Sequence, residues 1–451
     1  MGAMESKVIN LRILVDKKRD RVVFAESDKD FVDILFSFLT LPLGTIVRLI
    51  RNQAPPSVLG CLNNLYKSLE NLEVGLLQSE KHKAMLLRPS NSSEHLCRKL
   101  KFNIDDTEPT KYRCHHDSQD LYLIHENVII EDDKSGGVFV NGKARFMISD
   151  DLKVMPLSTS TSVELLTKLG VKDVDVLEER IVKVGKVEVL SLLRLSLLSM
   201  KPLTDLFLLK NVDCSGASTS DSAGQFHSRY RIDKLRGCKR MTIKIMLRKS
   251  DGKVLSAEAQ EDFIDYLLSL LAIPLGAAVK CLERSPSLGC ITNLYTSVQE
   301  LSADRHLKAE YIKAKLLSPM HVSQFGYKSQ LLGTNENFIP NSKCLFGLLP
   351  SGDKVDLYGH QPFNPNPIGG KGFINGPATF VVTDDLSVTP LSPISNIFAL
   401  NRLSVPISDL EERVVCIGGE EVLRLLEASL TSTSALTSAF NLYLDEAKME
   451  K

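Results

Sequence analysis

Asp30 to Gly44 reads DFVDILFSFLTLPLG, and Asp262 to Gly276 reads DFIDYLLSLLAIPLG. The offset is 232 at every position of this stretch (262 − 30), so the chain carries a tandem duplicate and must fold into something that can be built twice. In the first copy Phe31, Ile34, Leu35, Phe38 and Leu39 fall on one side of a helix. Phe263, Tyr266, Leu267, Leu270 and Leu271 do so in the second. Pro42 and Pro274 lack an amide hydrogen and clash with the preceding turn, so each helix is expected to stop or kink at Leu-Gly.

At 451 residues the chain exceeds one typical core, and a repeat of about 230 residues divides it in two. With 43% hydrophobic and 24% charged residues, both halves can bury a substantial core. Fifty-five basic side chains cancel fifty-five acidic ones, so no global positive field exists to bind nucleic acid or an anionic membrane. The local cluster Lys17, Lys18, Arg19 and Arg21 sits where a hairpin tip is expected. No signal-type run follows Met1, and no window approaches a membrane span, so a soluble protein of the cytoplasm is expected, with the nucleus left open. Nine cysteines, an odd number without a CxxC pair, read as reduced thiols.

Taken in order, LRILVDKKRDRVVFAE (Leu11 to Glu26) reads as two strands around a charged tip. IKIMLRKSDGKVLSAE (Ile243 to Glu258) repeats them with Asp251-Gly252 at the turn. Ser27 followed by Asp30 resembles a capping box. Each half therefore opens β-β-α, a start also found in β-grasp domains. SVLGCLNNLYKS (Ser57 to Ser68) and SLGCITNLYTS (Ser287 to Ser297) predict a second helix, and both copies reach a Leu-Leu-x-Pro stop at Pro89 and Pro319. Residues 90–135 and 320–368 diverge and read as long loops with little regular structure. Similarity resumes at FVNG (Phe139 to Gly142) and FING (Phe373 to Gly376). SDDLKVMPLS (Ser149 to Ser158) and TDDLSVTPLS (Thr383 to Ser392) follow, each with an Asp-Asp turn between strands. LEER at Leu177 and Leu410 then precedes an apolar helix. The resulting expectation is an α+β protein of two tandem homologous domains, 1–210 and 241–451, joined by a Ser- and Gly-rich linker at 211–240.

Together, LRILVDKKRDRVVFAE, DFVDILFSFLTLPLG, LGCLNNLYKSLENL and the DDLxVxPLS signature resemble the plant family known as domain of unknown function 674. The resemblance covers nearly the whole chain outside the linker. It implies a land-plant origin and a tandem organisation, and it brings no catalytic residues. Relatives carry a Cys-x-Cys stretch between the Leu-Leu-x-Pro stop and the FVNG strand. This chain has Cys97, Cys114, His115, His116 and His125 there, with no close cysteine pair.

The residues that could carry chemistry are few. Cys97, Cys114, His116 and His125 could supply four zinc ligands, but without the usual gap of two to four residues within a pair, so zinc is the one cofactor left open and none is expected. GVFVNGKA (Gly137 to Ala144) has phosphate-loop spacing but ends in Ala144 where Ser or Thr is needed, and FING is followed by Pro377. A turn is the better reading. Cys61 and Cys290 follow a glycine at a helix start, where the dipole can lower a thiol pKa, but no histidine base accompanies them and core packing is the simpler role. Asn64 and Tyr66, with Asn293 and Tyr295, are candidates for a surface or a pocket, as are the two cysteines.

Two functions follow as expectations. The first is a non-enzymatic interaction protein whose partners are other proteins. The alternative is an enzyme or small-molecule binder using the cleft between the two halves.

Overall fold

The computed structural model describes residues 8–51, 53, 59–107, 111–113, 120–125, 136–209, 240–282, 288–319, 345–348, 354–356, 372–394 and 404–441. The expected linker, apart from residue 240, lies outside them.

Each repeat opens as its pattern dictates. β1 (Ile9–Asp16) buries Ile9, Leu11, Ile13 and Val15 on one face, and β2 (Arg21–Ser27) returns antiparallel beside it. α1 (Lys29–Ser37) follows, its first amides capped by Asp28 rather than Ser27, which instead donates its hydroxyl to the Asp28 carbonyl. The second repeat repeats this with β8 (Met241–Arg248), β9 (Val254–Gln260) and α9 (Glu261–Leu270).

The prolines act differently from expectation. α1 ends at Ser37, and a 3-10 turn spans Phe38–Thr40. Pro42 then enters α2 (Leu43–Arg51), just as Pro274 caps α10 (Leu275–Cys281). Proline's missing amide is harmless at a helix entry, where that donor has no intrahelical acceptor, so each proline starts a helix rather than ending one.

The remaining helices of the first repeat are α3 (Leu62–Asn71), α4 (Glu80–Leu87), α5 (Glu94–Cys97), α6 (Thr159–Lys168), α7 (Lys186–Leu198) and α8 (Pro202–Phe207). The second repeat supplies α11 (Ile291–Glu300), α12 (Glu310–Leu317) and α13 (Gly419–Thr431), then a helical segment at 435–441.

Three sheets occur among the described residues. With β5 (Phe146–Ser149), β6 (Val154–Pro156) and β7 (Leu177–Val184), the first has the order β6-β5-β2-β1-β7. β12 (Thr379–Thr383), β13 (Val388–Pro390) and β14 (Leu410–Ile417) give the second the matching order β13-β12-β9-β8-β14. All pairings are antiparallel. The third sheet lies where loops were expected. β3 (Lys111–Arg113) and β4 (Asp120–His125) of one repeat join β10 (Leu345–Leu348) and β11 (Lys354–Asp356) of the other in the order β11-β10-β4-β3. The two divergent segments pair with each other through β4 and β10, and pairing between segments some 220 residues apart leaves no local trace in either sequence.

The repeats are also interleaved beyond that sheet. Pro42 and Pro274 form an antiparallel bridge, in which the Leu43 amide donates to the Ile273 carbonyl and the Leu275 amide to the Leu41 carbonyl, both at 2.9 Å. Past this crossing, α3 of the first repeat packs against β13 and α9 of the second, while α11 packs against β6 and α1 of the first. One contiguous apolar core runs through both repeats, from Ile9 to Phe440. A smaller cluster of Val23, Phe24 and Met147 lies on the opposite face of the first sheet, packed against Leu165, Leu166 and Leu169 at α6.

Candidate functional site

The duplicated motifs meet where each helix lies on the other repeat. Gly60 and Gly289 introduce α3 and α11 with φ of +49° and +65°. A Cβ on Gly60 would stand 2.4 Å from the Ser429 carbonyl oxygen, and one on Gly289 2.9 Å from that of Leu197. Only glycine combines that backbone with so close an approach. Cys61, at the N-cap of α3, donates its amide to the Ser429 carbonyl at 2.9 Å and its thiol to the Ser432 carbonyl at 3.0 Å. Cys290 donates its thiol to the Ser199 carbonyl at 3.1 Å. Burial pushes both thiols up to about 12, with Asp385 and Asp384 adding to the shift at Cys61 and Asp151 and Asp150 at Cys290. The helix N-terminus does not make either one a thiolate at neutral pH.

One turn further, Asn64 Nδ2 donates to the backbone carbonyl and to Oδ2 of Asp385, at 3.0 and 3.1 Å. Asn293 Nδ2 donates to the Asp151 carbonyl at 2.8 Å. Ser68 Oγ accepts the Val388 amide at 2.9 Å, and Ser297 Oγ accepts the Val154 amide at 2.8 Å. The NLYxS motif of each repeat is thus the partner of the DDLxV motif of the other. Tyr66 and Tyr295 work within their own repeats. Their hydroxyls donate to the carbonyls of Leu87 and Leu317 at 2.8 and 3.0 Å, satisfying an acceptor in the last turn of α4 and of α12 that has no intrahelical donor. Asn64 and Asn293 are half-buried, and the tyrosines and both cysteines are buried.

The Asp-Asp turns divide their labour. Asp150 accepts the Thr204 amide and hydroxyl, both at 2.8 Å, and Thr204 Oγ1 in turn accepts the Val22 amide. Asp384 holds Thr437 in the same way, and Thr437 accepts the Val254 amide. The first aspartate of each pair therefore anchors the closing helix of its own repeat to the first hairpin. The second presents its backbone carbonyl to the asparagine of the other repeat.

Asp33 and Asp265 were not singled out by sequence. Asp33 accepts three consecutive amides, those of Val138, Phe139 and Val140, at 2.8 to 2.9 Å. Asp265 accepts those of Phe373 and Ile374 at 2.7 and 2.9 Å. Burial raises Asp33 to about 6 and Asp265 to about 7, against the opposing pull of these amides. The amides that phosphate-loop spacing would offer to a phosphate are already occupied by a carboxylate of the chain itself. Each FxNG turn continues across the molecule: the Lys308 amide donates to the Phe139 carbonyl, and the Gln78 amide to the Phe373 carbonyl, both at 2.9 Å. The signal available in sequence was an aspartate at the same place among the apolar residues of both helices, past the charged first turn.

Of the four zinc candidates, Cys97 is buried, its sulfur 3.6 Å from Thr40 Oγ1 and 3.7 Å from Asn91 Nδ2, and burial raises its thiol to about 12. His125 ends β4. Cys114 and His116 lie outside the described residues, and no group of three or more metal-ligating side chains occurs among those described. No described helix is long and apolar enough to cross a membrane.

The outer strands expose another duplicated pattern. Among the described residues β7 pairs only with β1, and β14 only with β8, so each has one free edge eight residues long. Ile181 on β7 is 67% exposed, and its counterpart Val414 on β14 is 64% exposed. In the turns before these strands Val174 is 76% and Ile407 87% exposed. Both pairs stand at an offset of 233 (414 − 181 and 407 − 174).

No curated protein and no solved structure matches the chain. The profile of one family, described as "Protein of unknown function (DUF674)", matches residues 5–128 and 122–420, overlapping at 122–128. The two matches together span far more than half of the sequence, in agreement with the motifs, and the chain belongs to the DUF674 family as a two-copy member.

Proposed function

We propose that this is a non-enzymatic protein-interaction protein in which the interleaved repeats act as a rigid frame presenting two sheet edges, β7 and β14, to extended segments of partner proteins. The observation that carries this reading is the matched set of exposed apolar residues at two edges left unpaired among the described residues, Ile181 and Val414 on the strands and Val174 and Ile407 in the turns before them. A free edge offers unpaired amides and carbonyls to an added strand, and an apolar side chain in its middle gives that strand something to pack on. The duplicated groups able to do chemistry support it from the other side. Cys61, Cys290, Asn64, Asn293, Asp33 and Asp265 are all engaged in holding elements together.

The test is selection of extended peptides from a displayed library against the full chain, followed by hydrogen exchange. Bound peptides are expected to slow exchange along β7, β14 or both, and Val414→Lys to weaken those bound at β14 about tenfold or more. Protection confined to surfaces other than β7 and β14, or binding at β14 indifferent to Val414→Lys, would overturn the reading.

A further inference from the structure

Resting on that reading, we infer that the segment added to β7 is β7 of a second copy of this chain, antiparallel and centred on Ile181, so that two five-stranded sheets join into one. Directly opposed residues of an antiparallel pair point to the same face of the sheet. Under a twofold axis normal to the sheet, the central residue therefore faces its own copy. LEERIVKV leaves few choices. A centre at Glu178, Glu179, Arg180 or Lys183 would oppose like charges, which destabilises the pair. A centre at Leu177 or Val184 would leave most of the strand unpaired, and one at Val182 would set Ile181 against Lys183.

Centring on Ile181 satisfies every position from Glu178 to Val184. The two Ile181 side chains meet on the axis. Glu179, whose Oε1 already accepts from Arg12 Nε of its own chain at 2.8 Å, faces Lys183 of the second copy on the same side of the sheet, so that the carboxylate gains a second cation and the symmetry makes the pair twice. Arg180 faces Val182 of the second copy, and Glu178 faces its Val184. The pattern extends past the strand. Val174 lies seven residues before the centre (181 − 174) and Val187 six after it (187 − 181), and they are 76% and 72% exposed.

β14 lacks this self-complementarity. Centred on Val414, LEERVVCI sets Glu412 against Cys416 and forms no opposite-charge pair. Pairing β7 with β14 of a second copy would leave a free edge at either end and grow open-ended, whereas β7 with β7 closes at two. β14 stays available to a different protein.

Sedimentation of the full chain tests this. A dimer is expected, weakened about tenfold or more by Ile181→Lys, with the thermal midpoint unchanged at concentrations where both forms are monomeric, since the side chain is exposed. Lys183→Glu alone, which leaves the Arg12–Glu179 pair in place, should weaken it by opposing Glu179, and adding Glu179→Lys should restore it by exchanging the two signs. In a Cys416→Ser background, mild oxidation followed by peptide mapping of the disulfides should show Ile181→Cys joined to itself across two chains and no such joint for Val414→Cys. A monomer at all concentrations, a dimer indifferent to Ile181→Lys, or an open-ended series would overturn the pairing. None of these touches the binding of selected peptides at β14, so failure of this inference is distinguishable from failure of the interaction reading.

Discussion

Asn64 and Asn293 carry the most direct hydrogen-bond link between the two sequence motifs, each reaching into the Asp-Asp turn of the other repeat. Removing a half-buried donor and leaving its acceptors unpaired costs about 1–3 kcal/mol. Asn64→Ala is therefore expected to lower stability by that amount, read by denaturant unfolding followed with probes in both repeats, and the two probes should move together. Cysteine reactivity tests the same contacts. Peptide-mapped thiol labelling should modify Cys416, which is exposed, and spare Cys61, Cys97 and Cys290 until the protein unfolds. The buried aspartates set a pH dependence. Burial raises Asp33 to about 6, well above an unfolded value near 4, so the folded state holds its proton more tightly. The stabilisation this gives is full below about pH 4 and lost as pH rises through about 6, and through about 7 for Asp265. Stability should fall across that window, by roughly 3 kcal/mol for Asp33, and Asp33→Asn should flatten the slope. An unchanged slope in that variant would rule out Asp33 as its source.

At the scale of elements, the Leu-Pro-Leu-Gly crossing decides the path of the chain. A Cβ on Gly44 would stand 2.9 Å from the Leu271 carbonyl oxygen, and one on Gly276 would stand 2.8 Å from that of Leu316 and 3.0 Å from that of Leu39. Gly276→Ala should destabilise both repeats at once, as a drop in a single thermal midpoint rather than the loss of one of two. Much of this scale was legible in the residues. The opening hairpins and the helices after Cys61 and Cys290 followed from apolar period and turn chemistry. The prolines misled because a missing amide suits a helix entry as well as it ends a helix, and local sequence does not say which. β3, β4, β10 and β11 went unseen because β3 and β11 are only three residues long and the pairing that joins the two hairpins, β4 with β10, runs between the repeats. The candidates at Asn64, Tyr66 and Cys61 were singled out by duplication alone, and the partners of Asn64 and Cys61 lie in the other repeat, whose place beside them depends on the crossing.

For the molecule as a whole, the sequence repeat and the packing unit differ. Each five-stranded sheet is built from one repeat, yet a helix of the other covers part of it, the four-stranded sheet takes two strands from each repeat, and the core is continuous through both. A duplicated chain can reach this arrangement because every contact made in one direction is available in the other, as the paired asparagine, serine and FxNG contacts illustrate. The exposed edges follow from the same symmetry, since what one repeat leaves open its copy leaves open too. The most direct measurement is fragment complementation. A protease site introduced between residues 211 and 239 allows the chain to be cut into its two repeats, separated in denaturant and refolded apart or together. Each repeat refolded alone should lack the slow hydrogen exchange of its sheet, and mixing should restore the exchange pattern of the intact chain in a one-to-one complex. If either fragment alone refolds with native exchange protection and shows no affinity for the other, the repeats are independent domains and the interleaved account is wrong.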